Sequence, residues 1–138
     1  MRIVGVRTEA FPDLLPHIAW AFDNFAERSG GEAAAQRLVE KVLEKDLQCW
    51  VAVDGETLKA VALTSIFDAG VRVIELRHCT GTDREAWSGS LMDELERWGR
   101  AIGAAKVRTI NRPGHTRFLK RVGYRETHRV MEKELSDG

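Results

Sequence analysis

The chain has 138 residues, of which 43% are hydrophobic and 30% charged, with 21 basic and 21 acidic side chains in balance. A chain of this length suits a single domain spanning 1–138, able to bury roughly two thirds of the surface its unfolded form exposes, so no disulfide or metal staple is needed. No stretch approaches the roughly 20 apolar residues of a membrane span, and the opening MRIVGVRTEAFPDLLPHIAW lacks the order of a signal peptide. No membrane partner is expected, and a cytoplasmic location is.

Arg2 to Val6 alternates and carries β-branched side chains, which predicts a first strand. After Pro12, apolar residues recur at helical spacing (Leu14, Leu15, Ile18, Phe22, Phe25, Ala26) until Ser29-Gly30-Gly31 interrupts them. Glu32 to Lys45 repeats the pattern through Ala35, Leu38, Val39 and Val42. Three strands are predicted over Gln48 to Val53, Leu58 to Phe67 and Val71 to Cys79. They are joined by the turn signals Asp54-Gly55 and Asp68-Ala69-Gly70, as in an antiparallel meander.

Thr82-Asp83-Arg84-Glu85 reads as a capping box that opens a helix. The stripe Trp87, Leu91, Leu95, Trp98 and Ile102 continues it, and Gly103 ends it. Ala105 to Ile110 reads as a strand, Gly114 to Val122 as a short helix and Tyr124 to Leu135 as a terminal strand. The predicted order is β-α-α-β-β-β-α-β-α-β, an α+β domain with a mixed sheet flanked by helices.

Charge is unevenly spread. Between Lys106 and Arg129 stand eight basic residues and one acid, Glu126. This density predicts an exposed surface for phosphates or an acidic partner, with nucleic acid contacted through Arg112, Arg117, Lys120 and Arg121, and His115 beside them. Cys49 and Cys79 read as buried structural thiols. No metal site is expected, because neither the cysteines nor His17, His115 and His128 show ligand spacing. The four tryptophans fall on apolar faces and read mainly as core.

The element order, the run Leu91 to Ala104 and the ending Phe118-Leu119-Lys120-Arg121-Val122-Gly123-Tyr124 resemble the GNAT superfamily of N-acyltransferases. The resemblance covers nearly the whole chain. More narrowly, Asn111 to His115, Gly123 to His128 and Glu132 to Leu135 look like small GNAT-like proteins of tailed phages and prophages.

In the superfamily, an Arg/Gln-x-x-Gly-x-Gly/Ala loop grips the pyrophosphate of acetyl-CoA with free amides at a helix start. The resemblance aligns it with Arg84 to Gly89, leaving Arg84 and Gly89 as cofactor-binding candidates and Trp87 where the first glycine belongs. A register one residue earlier puts Asp83, Ala86 and Ser88 at those positions. In the first register Trp87 would crowd the phosphate, the second register is no better, and in either one Asp83 and Glu85 would repel the phosphate. The superfamily's general-acid tyrosine aligns with Leu119, which has no proton to give.

For a general base, Glu75 is the first candidate and His78 the second. Strand alternation sends them to opposite faces unless a bulge intervenes. These residues imply a GNAT fold with a degenerate acetyl-CoA site, expected to hold no cofactor and to act as a binding or structural module for protein partners such as other virion proteins. The alternatives are an acetyl-CoA-dependent N-acetyltransferase and a binder of nucleic acid or an acidic partner.

Overall fold

The computed structural model describes residues 1–29, 32–111 and 113–135. Five strands, β1 (Arg2–Val6), β2 (Gln48–Asp54), β3 (Thr57–Asp68), β4 (Arg72–Gly81) and β5 (Lys106–Thr109), form one sheet in the order β1-β2-β3-β4-β5. The first three pairings are antiparallel, and β4 runs parallel to β5. Helices α1 (Phe11–Ser29) and α2 (Glu32–Leu43) connect β1 to β2; α3 (Arg84–Ala101) connects β4 to β5. A 3-10 turn (Pro113–His115) leads into α4 (Thr116–Arg121).

The sheet is apolar on both sides, as it must be to carry helices on both. One face packs Cys49, Val51, Val61 and Leu63 against Phe11, Ile18, Phe22 and Phe25 of α1 and Val42 of α2. The other packs Trp50, Ala52, Ala60, Ala62 and Leu76 against Trp87, Leu91, Met92 and Leu95 of α3 and Leu119 of α4. Small residues on β2 and β3 leave room on this second face for the large indoles. Trp50 meets Trp98 edge-on, with centroids 5.0 Å apart, and its indole N–H donates to Thr64 Oγ1 at 3.0 Å. Thr64 Oγ1 donates in turn to Gln48 Oε1, and among the described residues no fully buried side-chain N or O atom lacks a partner. Such satisfaction is what allows polar groups into a core.

Two glycines set how closely layers approach. A Cβ on Gly99 would lie 3.0 Å from Ile74 Cδ1, so α3 rests directly on β4. A Cβ on Gly81 would lie 2.4 Å from the Lys59 carbonyl oxygen and 2.6 Å from Ala60 Cβ. Only glycine fits at the end of β4.

Three expectations change. The Tyr124 to Leu135 strand does not form: these residues have no regular structure and pair with no other strand. Their alternation records a capacity for β structure, but a strand's hydrogen bonds come from a neighbour, which the local pattern cannot supply. The capping box does not form either. Thr82 stays with the sheet, its N–H donating to Lys59 O at 2.9 Å, and Asp83 becomes the N-cap in a left-handed conformation (φ 58°) with no side-chain cap bond. Cys79 is half-buried and only Cys49 is fully buried. The remaining elements match their predicted positions to within a few residues at each end, and Gly103 ends α3 with a positive φ of 76°. Among the described residues, no helix is long and apolar enough to cross a membrane.

Because the clash at Gly81 involves backbone, Gly81→Val is expected to destabilise the protein by about 1–3 kcal/mol, as overpacking does. Urea unfolding checks this, and an unchanged midpoint would show that the end of β4 is looser than its geometry implies.

Candidate functional site

The site is built by one irregularity in β4. Leu63 of β3 faces His78 and the next residue, Thr64, faces Leu76, so Arg77 is an extra residue without a partner. A bulge of this kind bends its strand and resets the alternation of side chains. Just before it, β4 and β5 pair over four positions, from Val73↔Lys106 to Leu76↔Thr109. Past it, β4 runs on to Gly81 with no β5 residue alongside. The two parallel strands part there.

The bulge also corrects the expectation that Glu75 and His78 face opposite ways. Glu75 lies opposite Ser65 and His78 opposite Leu63, two positions apart on β3, so both point to the α1 and α2 side. They do not touch as a pair, and their surroundings differ.

Glu75 is buried and clamped. Its Oε2 accepts from Arg108 Nε at 3.0 Å and Nη2 at 2.6 Å, while Oε1 pairs with Arg77 Nε at 3.2 Å. Arg108 lies over the Phe67 ring, 4.6 Å from its centroid. Both oxygens are thus engaged by guanidinium groups. This arrangement fits a carboxylate that holds β4, its bulge and β5 together.

His78 is half-buried and stacks on Phe25 of α1, with centroids 5.1 Å apart. Burial lowers its pKa, and the charges of Arg77 and Arg28 lower it further. It is therefore neutral near pH 7 and able to accept a proton. Arg28 and Asn24 of α1 fasten this stretch of β4: Arg28 donates to Cys79 O at 3.0 Å and to Thr80 Oγ1 at 3.4 Å, and Asn24 Nδ2 donates to Thr80 Oγ1 at 3.3 Å. The Cys79 thiol is pushed up to about 12 by burial, against the opposing pull of Arg84 and Arg28, and so is no nucleophile at neutral pH.

At the start of α3 stand the residues aligned with the phosphate-loop motif. Trp87 is buried in the core beneath the helix, and its indole N–H donates to Thr82 O at 2.8 Å. Its ring is held in the core and not at the surface of the helix start, where the expectation of crowding had placed it. Gly89, half-buried one turn in, has open space where a Cβ would stand and shows no steric need for glycine. The Ser88 hydroxyl donates to Arg84 O at 2.8 Å. Asp83 and Glu85 are exposed at the helix start, as expected.

Arg84 reaches sideways, its Nη2 lying 3.1 Å from Nδ1 of His115, the N-cap of α4. The starts of α3 and α4 are thereby joined. Arg117, Lys120 and Arg121 of α4 are exposed and, with Thr116, line a shallow hollow. Arg112, the remaining member of the predicted basic surface, lies outside the described residues. Leu119 is buried and Phe118 packs against the same core, whereas Val122 is 44% exposed. Tyr124 donates to Glu96 Oε2 at 2.9 Å. Burial and the Glu96 and Asp93 charges hold its hydroxyl well above the usual phenol range, so it stays protonated. Among the described residues, no group of three or more His, Cys, Asp or Glu could hold a metal ion.

Sequence reasoning did not single out Arg108, Arg28, Thr80 or Asn24. Arg108 had a weak signal, an arginine between Val107 and Thr109 in a short strand. The α1 residues had none, because their role depends on a contact across more than 50 positions.

No protein-family model and no curated protein matches the sequence. Solved structures do match. A probable acetyltransferase superposes with a TM-score of 0.74 at 17% identity, covering 100% of both chains. A predicted acetyltransferase from Clostridium acetobutylicum, solved with acetyl-CoA, gives 0.69 at 11% identity, covering 96% of this chain and 95% of its own. An aminoglycoside N-acetyltransferase in complex with CoA gives 0.72 at 18% identity, covering 97% of this chain and 93% of its own. The chain therefore has the fold of the GNAT acetyltransferases.

His78 carries a pH dependence of known sign. Its folded pKa lies below its unfolded value of about 6.5, so the folded protein takes up its proton less readily than the unfolded chain. The stability contribution is complete above about pH 6.5 and is lost as pH falls through the folded pKa. His78→Gln is expected to flatten the fall in urea midpoint between about pH 7.5 and 5.5; equal slopes in both proteins would refute the assignment.

Proposed function

We propose that the chain is an acyl-CoA-dependent N-acyltransferase that binds acetyl-CoA between the parted ends of β4 and β5. The observation that carries this reading is Trp87. Its ring is buried and its N–H is on Thr82 O, no side chain caps the first turn of α3, and within that turn Ala86 N–H donates to Asp83 O at 2.9 Å. Free amides and the positive end of an 18-residue helix favour phosphate. The likeness to structures solved with acetyl-CoA and CoA supports the same ligand.

The residues present fit such a group. The amides at the start of α3 would hold pyrophosphate, with Arg84 beside them and the exposed cations Arg117, Lys120 and Arg121 on the helix whose N-cap it touches. Asp83 and Glu85 oppose this, but an exposed carboxylate in a first turn contributes only about 0.3–1 kcal/mol. When bound, acetyl-CoA supplies an acyl group activated as a thioester. The chain's own part is to orient an amine acceptor and accept its proton. His78, neutral and on the α1 side of the parted strands, is our candidate base, with Glu75 fixing the strands around it. Leu119 offers no proton at the aligned acid position, so a slow transfer is expected, short of the roughly 10² to 10⁴ that such an acid contributes.

A second reading, a GNAT fold retained as a binding or structural module, draws on Leu119 and on the acids at the start of α3. It predicts no cofactor binding. Nothing in the fold adds to the expectation of a virion role. The basic surface on α4 serves phosphate in either reading, nucleic acid included.

Calorimetric titration with acetyl-CoA separates the readings. The acyltransferase reading predicts saturable binding, tightened about two- to fivefold per charge in Asp83→Asn and Glu85→Gln, since each removes a carboxylate from the first turn. Absence of binding in the wild-type protein and in both variants would leave the module reading.

A further inference from the structure

We propose that the acceptor at His78 is an amine that carries its own anionic group, and that the guanidinium of Arg28 binds that group. The inference deepens the acyltransferase reading and rests on it for the amine. Arg28 is held in place without being compensated. Its Nη1 donates to Cys79 O at 3.0 Å and its Nη2 to Thr80 Oγ1 at 3.4 Å, and Asn24 Nδ2 holds the same hydroxyl at 3.3 Å. These acceptors carry no charge, and among the described residues no carboxylate pairs with Arg28. An exposed guanidinium fixed by neutral partners, with donors to spare, is preorganised for an anion.

Its position links it to His78. Phe25, whose ring centroid lies 5.1 Å from that of His78, precedes Arg28 by three residues on α1, so the two project from one side of the helix. Arg28 bonds the carbonyl of Cys79, the residue after His78. A ligand that spans the imidazole and this guanidinium needs only a short link between amine and anion, such as an amino acid has. The surrounding charges select for the same ligand. Burial lowers the His78 pKa, and the two charges that lower it further, Arg77 and Arg28, are both cations. Glu75 is already shared between Arg77 and Arg108. Across the sheet, His78 and Glu75 face uncharged Leu63 and Ser65. Asp23 and Glu27 are exposed and lie roughly 160° around α1 from Phe25, at about 100° per residue, so they turn away from the sheet. A plain ammonium or a polyamine meets uncompensated like charge here. An anion beside the amine supplies the missing counter-charge.

The first measurement needs no cofactor. N-acetylalanine and O-phospho-N-acetylethanolamine carry an anion and no amine, and N-acetylalaninamide is neutral. In NMR titrations of the His78 ring at constant ionic strength, at least one of the two anions is expected to raise its pKa, because a bound anion favours the imidazolium, while the neutral amide leaves it unchanged. Arg28→Gln is expected to weaken the anion's binding at least about tenfold. With acetyl-CoA, alanine or O-phosphoethanolamine is expected to exceed alaninamide and spermidine at least about tenfold in kcat/KM, and the better of the two separates carboxylate from phosphate. A His78 pKa unmoved by either anion, a folded Arg28→Gln that binds like the wild type, or transfer without preference for anionic amines would each overturn the proposal. If Arg28→Gln does not fold, the wild-type comparisons decide. A pKa raised through Arg28 in a protein that binds no acetyl-CoA would contradict the acyltransferase reading and uphold the anion site.

Discussion

One extra residue in β4, Arg77, governs the geometry of this domain. By inserting it opposite β3, the chain bends β4 at the point where its pairing with β5 ends. The bend brings Glu75 and His78 to the same face and opens the far half of β4. A bend of this kind needs fastening on both sides. Glu75 supplies one fastening by tying Arg77 on the bulge to Arg108 on β5. Arg28 and Asn24 supply the other from α1, through Thr80 and the Cys79 carbonyl. Gly81 then lets β4 end against the Lys59 and Ala60 backbone, which sets where α3 begins.

Because β4 ends there, α3 begins directly after it, without a side-chain cap. The local charges at that turn oppose one another: Asp83 and Glu85 satisfy the helix dipole with the protein's own carboxylates, whereas Arg84 reaches the start of α4, which brings three exposed cations. The magnitudes favour access, because exposed first-turn acids are weak and a buried indole obstructs nothing. The fold and the phosphate chemistry are consistent with each other, although the aligned motif has lost its glycines.

Much of this was legible in the sequence because it rests on periodicity. The helical stripes of α1, α2 and α3 and the short turns of the meander are local patterns, and they gave both the element order and the two-sided core. Features that depend on distant contacts were not legible. The bulge at Arg77 leaves no mark on a run of alternating residues, so Glu75 and His78 were assigned to opposite faces. Trp87 illustrates the same limit: a motif alignment assigns a position, but the direction of a side chain depends on what lies beneath the helix. Tyr124 to Leu135 shows the converse, a strand pattern with no partner in its own sheet.

The proposed acetyl-CoA site, made by the parted end of β4 and the first turn of α3, is tested by amide NMR during a CoA titration. The largest shifts are expected on the N–H groups of residues 77–81 and of Arg84 and Glu85, saturating together. Shifts confined to the exposed cations of α4 and abolished by moderate salt would contradict it, leaving only nonspecific attraction of phosphate.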